Sequence, residues 1–366
     1  MRVVRFELRD FRNYQRVELE LGPGLTVIAG SNGAGKTNLL EGLYFGLTGR
    51  SCRTSNEREV VRHGARLTRA AITTVGDGVE HLLEVGFEPG ETKRLRLDGA
   101  EPDSASAVEA RPLVSVFLPE RLELVKGPPA HRRAHLDRFV AALWPARAGA
   151  RSAYGRALAQ RNALLARVRA GAAAADQLAP WEAELARHGI ALMTDRRGAA
   201  EMLGAPYSRR AAELGLPAAL RYRPRSQATT VEDLAAELAE RREQDLARGF
   251  TGHGPHRDEL VLEHAGRGLR SFGSQGQQRV GVLALLFAER DVLMEHARPP
   301  LMLLDDVMSE LDPERRERLT ELLRAGTQAV VTTTDPDHVP VARYPDTVLV
   351  TVADGSLSYA PGAVAA

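Results

Sequence analysis

The sequence predicts an α/β fold interrupted by a mainly helical insertion. Residues 1–125 read as short apolar strands around one glycine-rich turn, residues 126–249 change to apolar spacing of about 3.6 residues, and residues 250–366 return to alternating strands and helices. The expected boundaries are therefore 1–125, 126–249 and 250–366. With 43% hydrophobic and 27% charged residues over 366 positions, the composition is that of a folded globular chain rather than a disordered or fibrous one.

Val4, Phe6 and Leu8 alternate with polar residues, as do Val17, Leu19 and Leu21, predicting two strands around a turn at residues 10–14. Leu25, Val27 and Ile28 form a short apolar strand, and residues 37–45 have helical spacing. Residues 70–75, 81–87 and 93–97 read as three strands joined by glycine-containing turns, and 114–118 as another, stopped by Pro119.

Between the third strand and the first helix lies Gly30-Ser31-Asn32-Gly33-Ala34-Gly35-Lys36-Thr37, which fits the phosphate-binding loop pattern G-x-x-x-x-G-K-[ST] at every fixed position. Glycines let backbone N–H groups turn toward phosphate oxygens without a Cβ in the way, and the helix N-terminus adds positive potential. Lys36 is expected to neutralise the β- and γ-phosphates of ATP, and Thr37 to ligate Mg²⁺. Asn38, and Arg12 and Asn13 from the turn, are assigned to the same nucleotide site. Arg12, Arg53 and Arg62 have the alternative role of pairing with nearby acids.

After Gly127-Pro128-Pro129 the pattern is helical. Leu136, Phe139, Val140 and Leu143 share a face, as do Tyr154, Leu158, Leu165 and Val168; Pro180 starts a further helix and Thr230 caps another. Breaks are expected at Gly171, Pro180, Pro206 and Pro217, with a short strand at 220–222. The apolar heptads do not persist, so no long coiled coil is expected. Strands follow at 260–262, 301–304, 329–332 and 347–352, with helices over 277–294 and 313–323, and a frayed end at 360–363.

Three motifs in the last third extend the nucleotide site. Leu301 to Leu304 form an apolar run that ends in Asp305-Asp306, as a buried parallel strand does when it delivers a carboxylate to a metal. Asp305 is expected to hold Mg²⁺ with Thr37, and Asp306 to orient or deprotonate the attacking water, so Lys36, Asp305 and Asp306 are the catalytic candidates. Ser274-Gln275-Gly276-Gln277 opens a helix with a serine and unhindered backbone donors. Ser309-Glu310-Leu311-Asp312-Pro313 follows the acid pair, with Asp312 as N-cap.

Taken in order, these motifs resemble the ABC-type ATPase head, and within it the RecF family of SMC-like proteins. Phe11-Arg12-Asn13-Tyr14, Phe117-Leu118-Pro119-Glu120, Lys126-Gly127-Pro128-Pro129 with Arg132-Arg133, and Gly254-Pro255-His256-Arg257-Asp258 carry the closer match, which spans nearly the whole chain. The resemblance implies a head with a P-loop and a β-rich lobe I, plus a helical lobe II reduced to a short arm. It further implies ATP sandwiched between two copies, with Ser274, Gly276 and Gln277 acting in trans and Ser309 and Asp312 forming the D-loop. By the same resemblance the chain dimerises on DNA when it binds ATP, hydrolyses ATP slowly, and works with RecO and RecR in loading RecA at gaps. Two departures from the wider pattern argue for slow, DNA-stimulated turnover. Asp306 stands where most members carry glutamate, and Thr332-Thr333-Thr334-Asp335 replaces the switch histidine.

Charge is uneven. Residues 121–170 hold 11 Arg or Lys against 2 Asp or Glu, so the rest of this +1 chain is net acidic. Lys126, Arg132, Arg133, Arg151 and Arg156 are the resulting candidates for sequence-independent contact with duplex or junction DNA. With 46 arginines against 3 lysines, arginine content alone carries little weight. The single Cys52 excludes an internal disulfide, and no apolar run approaches the roughly 20 residues of a membrane span. A cytoplasmic, membrane-free protein is expected. A transporter's energising subunit would place its signature helix much nearer the P-loop than the 238 positions between Lys36 and Ser274. A small-molecule phosphotransferase would need neither Ser274 to Gln277 nor Ser309 to Asp312. His256, with no second ligand at metal spacing, is read as a structural hydrogen-bonding residue.

Overall fold

The computed structural model describes residues 1–102, 111–339, 344, 346–353 and 355–359, so the expected frayed end at 360–363 lies outside the described residues. Two units form, Met1–Glu120 with Arg298–Ala366, and Arg121–Ala297. The first begins with β1 (Arg2–Phe11), β2 (Tyr14–Glu20) and β3 (Leu25–Ala29), followed by α1 (Lys36–Thr48). Next come β4 (Thr68–Gly76), β5 (Val79–Phe87), β6 (Arg94–Leu97) and β7 (Leu113–Phe117). β2-β1-β4-β5-β6 make an antiparallel sheet. Its inner face carries Phe6, Leu8, Ile72 and Val85, as period-two alternation requires. A bulge between Val3 and Arg5 resets that alternation, so Val3 is buried where the sequence pattern had placed Val4. α1 lies close on this face because it offers glycines there: a Cβ at Gly42 would stand 2.5 Å from Leu8, and one at Gly46 2.6 Å from Ile72.

The second unit contains α2 (Glu123–Lys126), α3 (Pro129–Leu143), α4 (Ala150–Arg169) and α5 (Leu178–Glu213). β8 (Ala218–Arg223), α6 (Val231–Glu240), α7 (Arg242–Arg248), β9 (Glu259–His264) and β10 (Arg267–Gly268) follow. α8 (Leu269–Phe272) and α9 (Gln275–His296) complete it. Two expectations change here. Residues 250–297, grouped by sequence with the C-terminal ATPase segment, belong to the helical unit, because β9 pairs with β8 along its length and α9 packs on α5. Pro206 does not break the chain; it sits inside the 36-residue α5. A mid-helix proline costs about 3 kcal/mol. Leu203, Tyr207 and Ala211 around it are fully buried, and at about 1.5–3 kcal/mol per large apolar side chain that burial offsets the cost.

Buried polar groups tie the helices together. Arg161 on α4 is fully buried and donates to Asp245 (2.7 Å), Thr251 (2.8 Å) and Glu182 (3.1 Å). His256 lies between Tyr154 Oη (2.7 Å) and the Thr251 carbonyl (2.9 Å). A carbonyl only accepts, so Nε2 carries the proton and Nδ1 accepts from the tyrosine hydroxyl. The tyrosine bond, with Nδ1 accepting, needs the neutral ring, whereas the Nε2–H bond to the carbonyl survives protonation. Burial lowers the His256 pKa to about 4; the Thr251 bond and Asp245 oppose that shift, while Arg257 and Arg133 add to it. Below its ordinary pKa the unfolded chain thus binds a proton that the folded one refuses, and stability falls as pH falls. The expected loss is about 3 kcal/mol between pH 6.5 and 4. Denaturant titrations of wild type and His256→Gln over that range check it: the variant's stability should lose this slope.

Returning to the first unit, β11 (Pro300–Leu304), α10 (Pro313–Arg324), β12 (Ala329–Thr333), β13 (Val348–Ala353) and β14 (Ser356–Tyr359) finish the chain. A six-stranded sheet runs β14-β13-β3-β12-β11-β7, parallel except for β14. β3, β11 and β12 are buried at every residue, as strands covered on both faces must be.

Candidate nucleotide site

In an open parallel sheet, ligands bind beyond the carboxyl ends of the strands. Three central strands deliver the site's residues there: β3 leads into the loop at 30–37, β11 ends at Asp305, and β12 lies between them with Thr332 and Thr333 at its end. Gly30 sits under the β13 strand, where a Cβ would stand 2.5 Å from the Val352 carbonyl oxygen. Gly35 has φ +109°, and a Cβ there would collide with Tyr14 Oη and Asn13 Nδ2. α1 has no side-chain N-cap, so its first-turn N–H groups stay available to an anion. Ser31, Asn32 and Gly33 are exposed and Ala34 half-buried.

Lys36 is 7% exposed, and its Nζ donates to the carbonyls of Gly30 (2.7 Å) and Ser31 (2.9 Å). Burial lowers its pKa, while Asp306 and Asp305 pull it back up. Thr37 Oγ1 donates to Asp305 Oδ2 at 2.8 Å, and Thr332 Oγ1 donates to Asp305 Oδ1 at 2.6 Å. Burial raises the Asp305 pKa; the two threonine bonds oppose that rise and the neighbouring Asp306 charge adds to it. A buried carboxylate beside a threonine hydroxyl is a hard oxygen donor pair of the kind Mg²⁺ takes together with substrate phosphates. Among the described residues no cluster of three or more His, Cys, Asp or Glu could hold a metal by itself.

Asp306 has φ +45°, a left-handed conformation that Asp and Asn adopt far more readily than Glu. Its N–H is held by Thr332 Oγ1 (3.0 Å), and Ser309 Oγ lies 3.1 Å from both its carbonyl oxygen and Oδ2. Its Oδ1 is buried with no hydrogen-bond partner. Asp312 accepts from the Arg315 N–H (2.9 Å), capping α10 as expected.

Arg12 and Arg53 are tied to α1. Arg12 forms a bidentate pair with Glu41 at 2.7 and 2.8 Å, and Arg53 reaches Glu41 (3.2 Å) and Asn38 (3.0 Å). Arg62 pairs with Asp10 at 2.7 Å. Asn13 accepts from Asn38 at 2.8 Å. Glu41, fully buried one turn beyond Thr37, anchors this group, and no sequence signal marked it. Thr332 was marked only as part of the segment that replaces the switch histidine; its bond to Asp305 was not legible, because only the strand order places β12 between the loop and Asp305.

At the start of α9, Ser274 Oγ accepts from the Gln277 N–H while the Gln277 side chain accepts from the Ser274 N–H, a full capping box. Ser274 and Gly276 are exposed, Gly276 has open space around it, and Phe272 beside them is 67% exposed.

The DNA candidates divide. Arg132 is 5% exposed, paired with Glu259 at 2.8 and 3.0 Å and bonded to the carbonyls of Leu124, Val125 and Gly127, so it is structural. The correction has a plain cause: in an arginine-biased chain, arginine also fills buried pairing roles. Arg133 is half-buried on the Asp258 carbonyl (2.8 Å). Lys126, Arg151 and Arg156 are exposed, with Arg151 3.5 Å from Asp137.

The family model described as RecF/RecN/SMC N terminal domain matches residues 2–356. A DNA replication and repair protein RecF from Anaeromyxobacter sp. (strain Fw109-5) is 41% identical, with 98% of this chain and 99% of that protein covered. One from Streptomyces avermitilis is 38% identical over 93% of this chain and 95% of its own. Among solved structures, the recombination mediator protein RecF-ATPrS in the RecFOR pathway matches with a TM-score of 0.84 and 27% identity, covering 98% of each chain. An SMC head bound to the C-winged helix domain of ScpA matches at 0.60 with 18% identity, a likeness of fold alone.

Proposed function

The chain belongs to the RecF family of SMC-type ATP-binding heads, and from that premise we propose that ATP holds two copies of it together on DNA. It is a DNA-repair ATPase of the RecFOR pathway. The finer reading is that Ser274 and Gly276 of one copy meet the γ-phosphate held by the loop of the other. One observation carries it: the N-terminus of α9 is exposed, uncrowded at Gly276 and flanked by the exposed ring of Phe272.

In this reading Lys36 leaves the Gly30 and Ser31 carbonyls for the β- and γ-phosphates, and the loop N–H groups fix the phosphate chain. Thr37 and Asp305 hold Mg²⁺, which when bound neutralises charge on the phosphate oxygens. Asp306 orients the attacking water and takes its proton at Oδ1, while Ser309 fixes the orientation of that carboxylate through Oδ2. The side chain is one methylene shorter than glutamate, so turnover is slow and DNA accelerates it by favouring the dimer. The ATP-bound dimer on gapped DNA then assists RecR and RecO in loading RecA. Among the described residues no helix is long and apolar enough to cross a membrane; what favours this reading over a transporter's energising subunit is the 238 positions between Lys36 and Ser274.

Ser274→Arg tests the trans contact. The variant should bind ATP within a few-fold of wild type yet elute as a monomer with ATP, where wild type elutes as a dimer. An ATP-dependent dimer of Ser274→Arg would sink the proposal.

A further inference from the structure

The outer face of the antiparallel sheet carries a row of arginines that folding does not explain. Register places Arg16 on β2 opposite Arg9 on β1, Arg9 opposite Arg69 on β4, Arg69 opposite Gly86 on β5, and Gly86 opposite Arg94 on β6. Like charges directly opposite each other destabilise a sheet. The next row supplies only partial relief. Glu7 pairs with both Arg9 (2.8 Å) and Arg16 (3.2 Å), and among the described residues Arg69, Arg94 and the adjacent Arg96 form no ion pair. All five arginines are exposed, and a cleft of about 250 Å³ is lined by Arg9, Arg69, Arg94 and Arg96 together with Glu7 and Glu84, so four arginines face two carboxylates there.

Gly86 is the second observation. A glycine inside a strand weakens it and often marks a place where another molecule comes close. Gly42 and Gly46 are small because α1 presses on the sheet. Gly86 has no such reason: a Cβ there would meet only Arg94 Cβ, at an ordinary 4.0 Å. Its missing side chain leaves a notch between Arg69 and Arg94.

We propose that this row is a docking track for the phosphate backbone of duplex DNA, with one phosphate seated over Gly86 between Arg69 and Arg94. Strands are about 4.8 Å apart, so Arg69 and Arg94 flank Gly86 at a separation of about 10 Å, wide enough to straddle a phosphate group. Guanidinium groups bind phosphate oxygens bidentately. No base-reading group stands in the row, so the contact is independent of sequence. This inference rests on the DNA reading above and moves the principal contact from the helical unit to the sheet of the first.

The test uses the full chain with ATP and a short fluorescent duplex across a salt series. Arg69→Gln/Arg94→Gln is expected to weaken binding about tenfold and to flatten the slope of log affinity against log salt by about 2. Gly86→Leu, which adds no charge and meets no backbone, should also weaken binding several-fold. Both variants should keep the ATP-dependent dimer. If wild type binds no duplex, the DNA reading falls and this one with it. If wild type binds and both variants match it, the track alone is overturned. Should the variants lose affinity for polyglutamate while keeping that for duplex, the row serves an acidic protein and the proposal is also overturned.

Discussion

Asp306→Asn is expected to slow ATP hydrolysis about a hundredfold or more while leaving ATP affinity within a few-fold. The carboxylate has one oxygen held near Ser309 and one buried without a partner, the arrangement of a base whose second oxygen is kept for a water. Asparagine retains the shape and tolerates φ +45° as aspartate does, so the local backbone should survive the change. What disappears is proton acceptance at Oδ1. Blocked after ATP binding, the protein should accumulate as a dimer that outlives wild type on DNA. Single-turnover hydrolysis and size measurement with ATP check both halves. Hydrolysis close to wild type would place the base elsewhere. The same geometry accounts for the shortened carboxylate: a left-handed backbone at this position disfavours the longer glutamate.

Arg161→Leu is expected to destabilise the Arg121–Ala297 unit by about 3–5 kcal/mol, the usual cost of stranding buried partners of a removed charge. Glu182 and Asp245 are 3% and 1% exposed. Glu182 keeps Arg242 at 2.5 Å, and Asp245 keeps the Gly252 N–H at 2.9 Å, yet Asp245 loses its ion pair with Arg161. Thr251 loses a bond as well, although Asn162 still holds it. A drop in melting temperature of about 10 °C should follow. Calorimetry reads it directly, and a change of under about 1 kcal/mol would mean that water replaces the guanidinium.

The two residues show where sequence reading succeeds and where it stops. Asp306 was legible because an apolar run ending in acid is a local pattern with one good structural solution. Arg161 was not: it stood in a stretch of 11 basic residues and counted there as surface charge. Its partners lie 21 and 84 positions away, on elements whose packing no local pattern encodes. Arg132 was misread for the same reason, its carboxylate being 127 positions distant. Pro206 shows the converse, since a strong local breaker was overruled by burial along α5.

By itself the sequence determined the local chemistry: the phosphate loop at Gly30 to Thr37, the acid pair, the helix caps at Ser274 and Asp312, and the strands and helices that carry them. Each depends on residues within a few positions of one another, so spacing is enough. Only the tertiary structure decided which arginines face water, that residues 250–297 pack with the helical unit, and that Thr332 clamps Asp305. It also decided that four arginines line up across the sheet around a glycine. Those facts come from strand order, register and burial, which bring together groups that the chain itself keeps far apart.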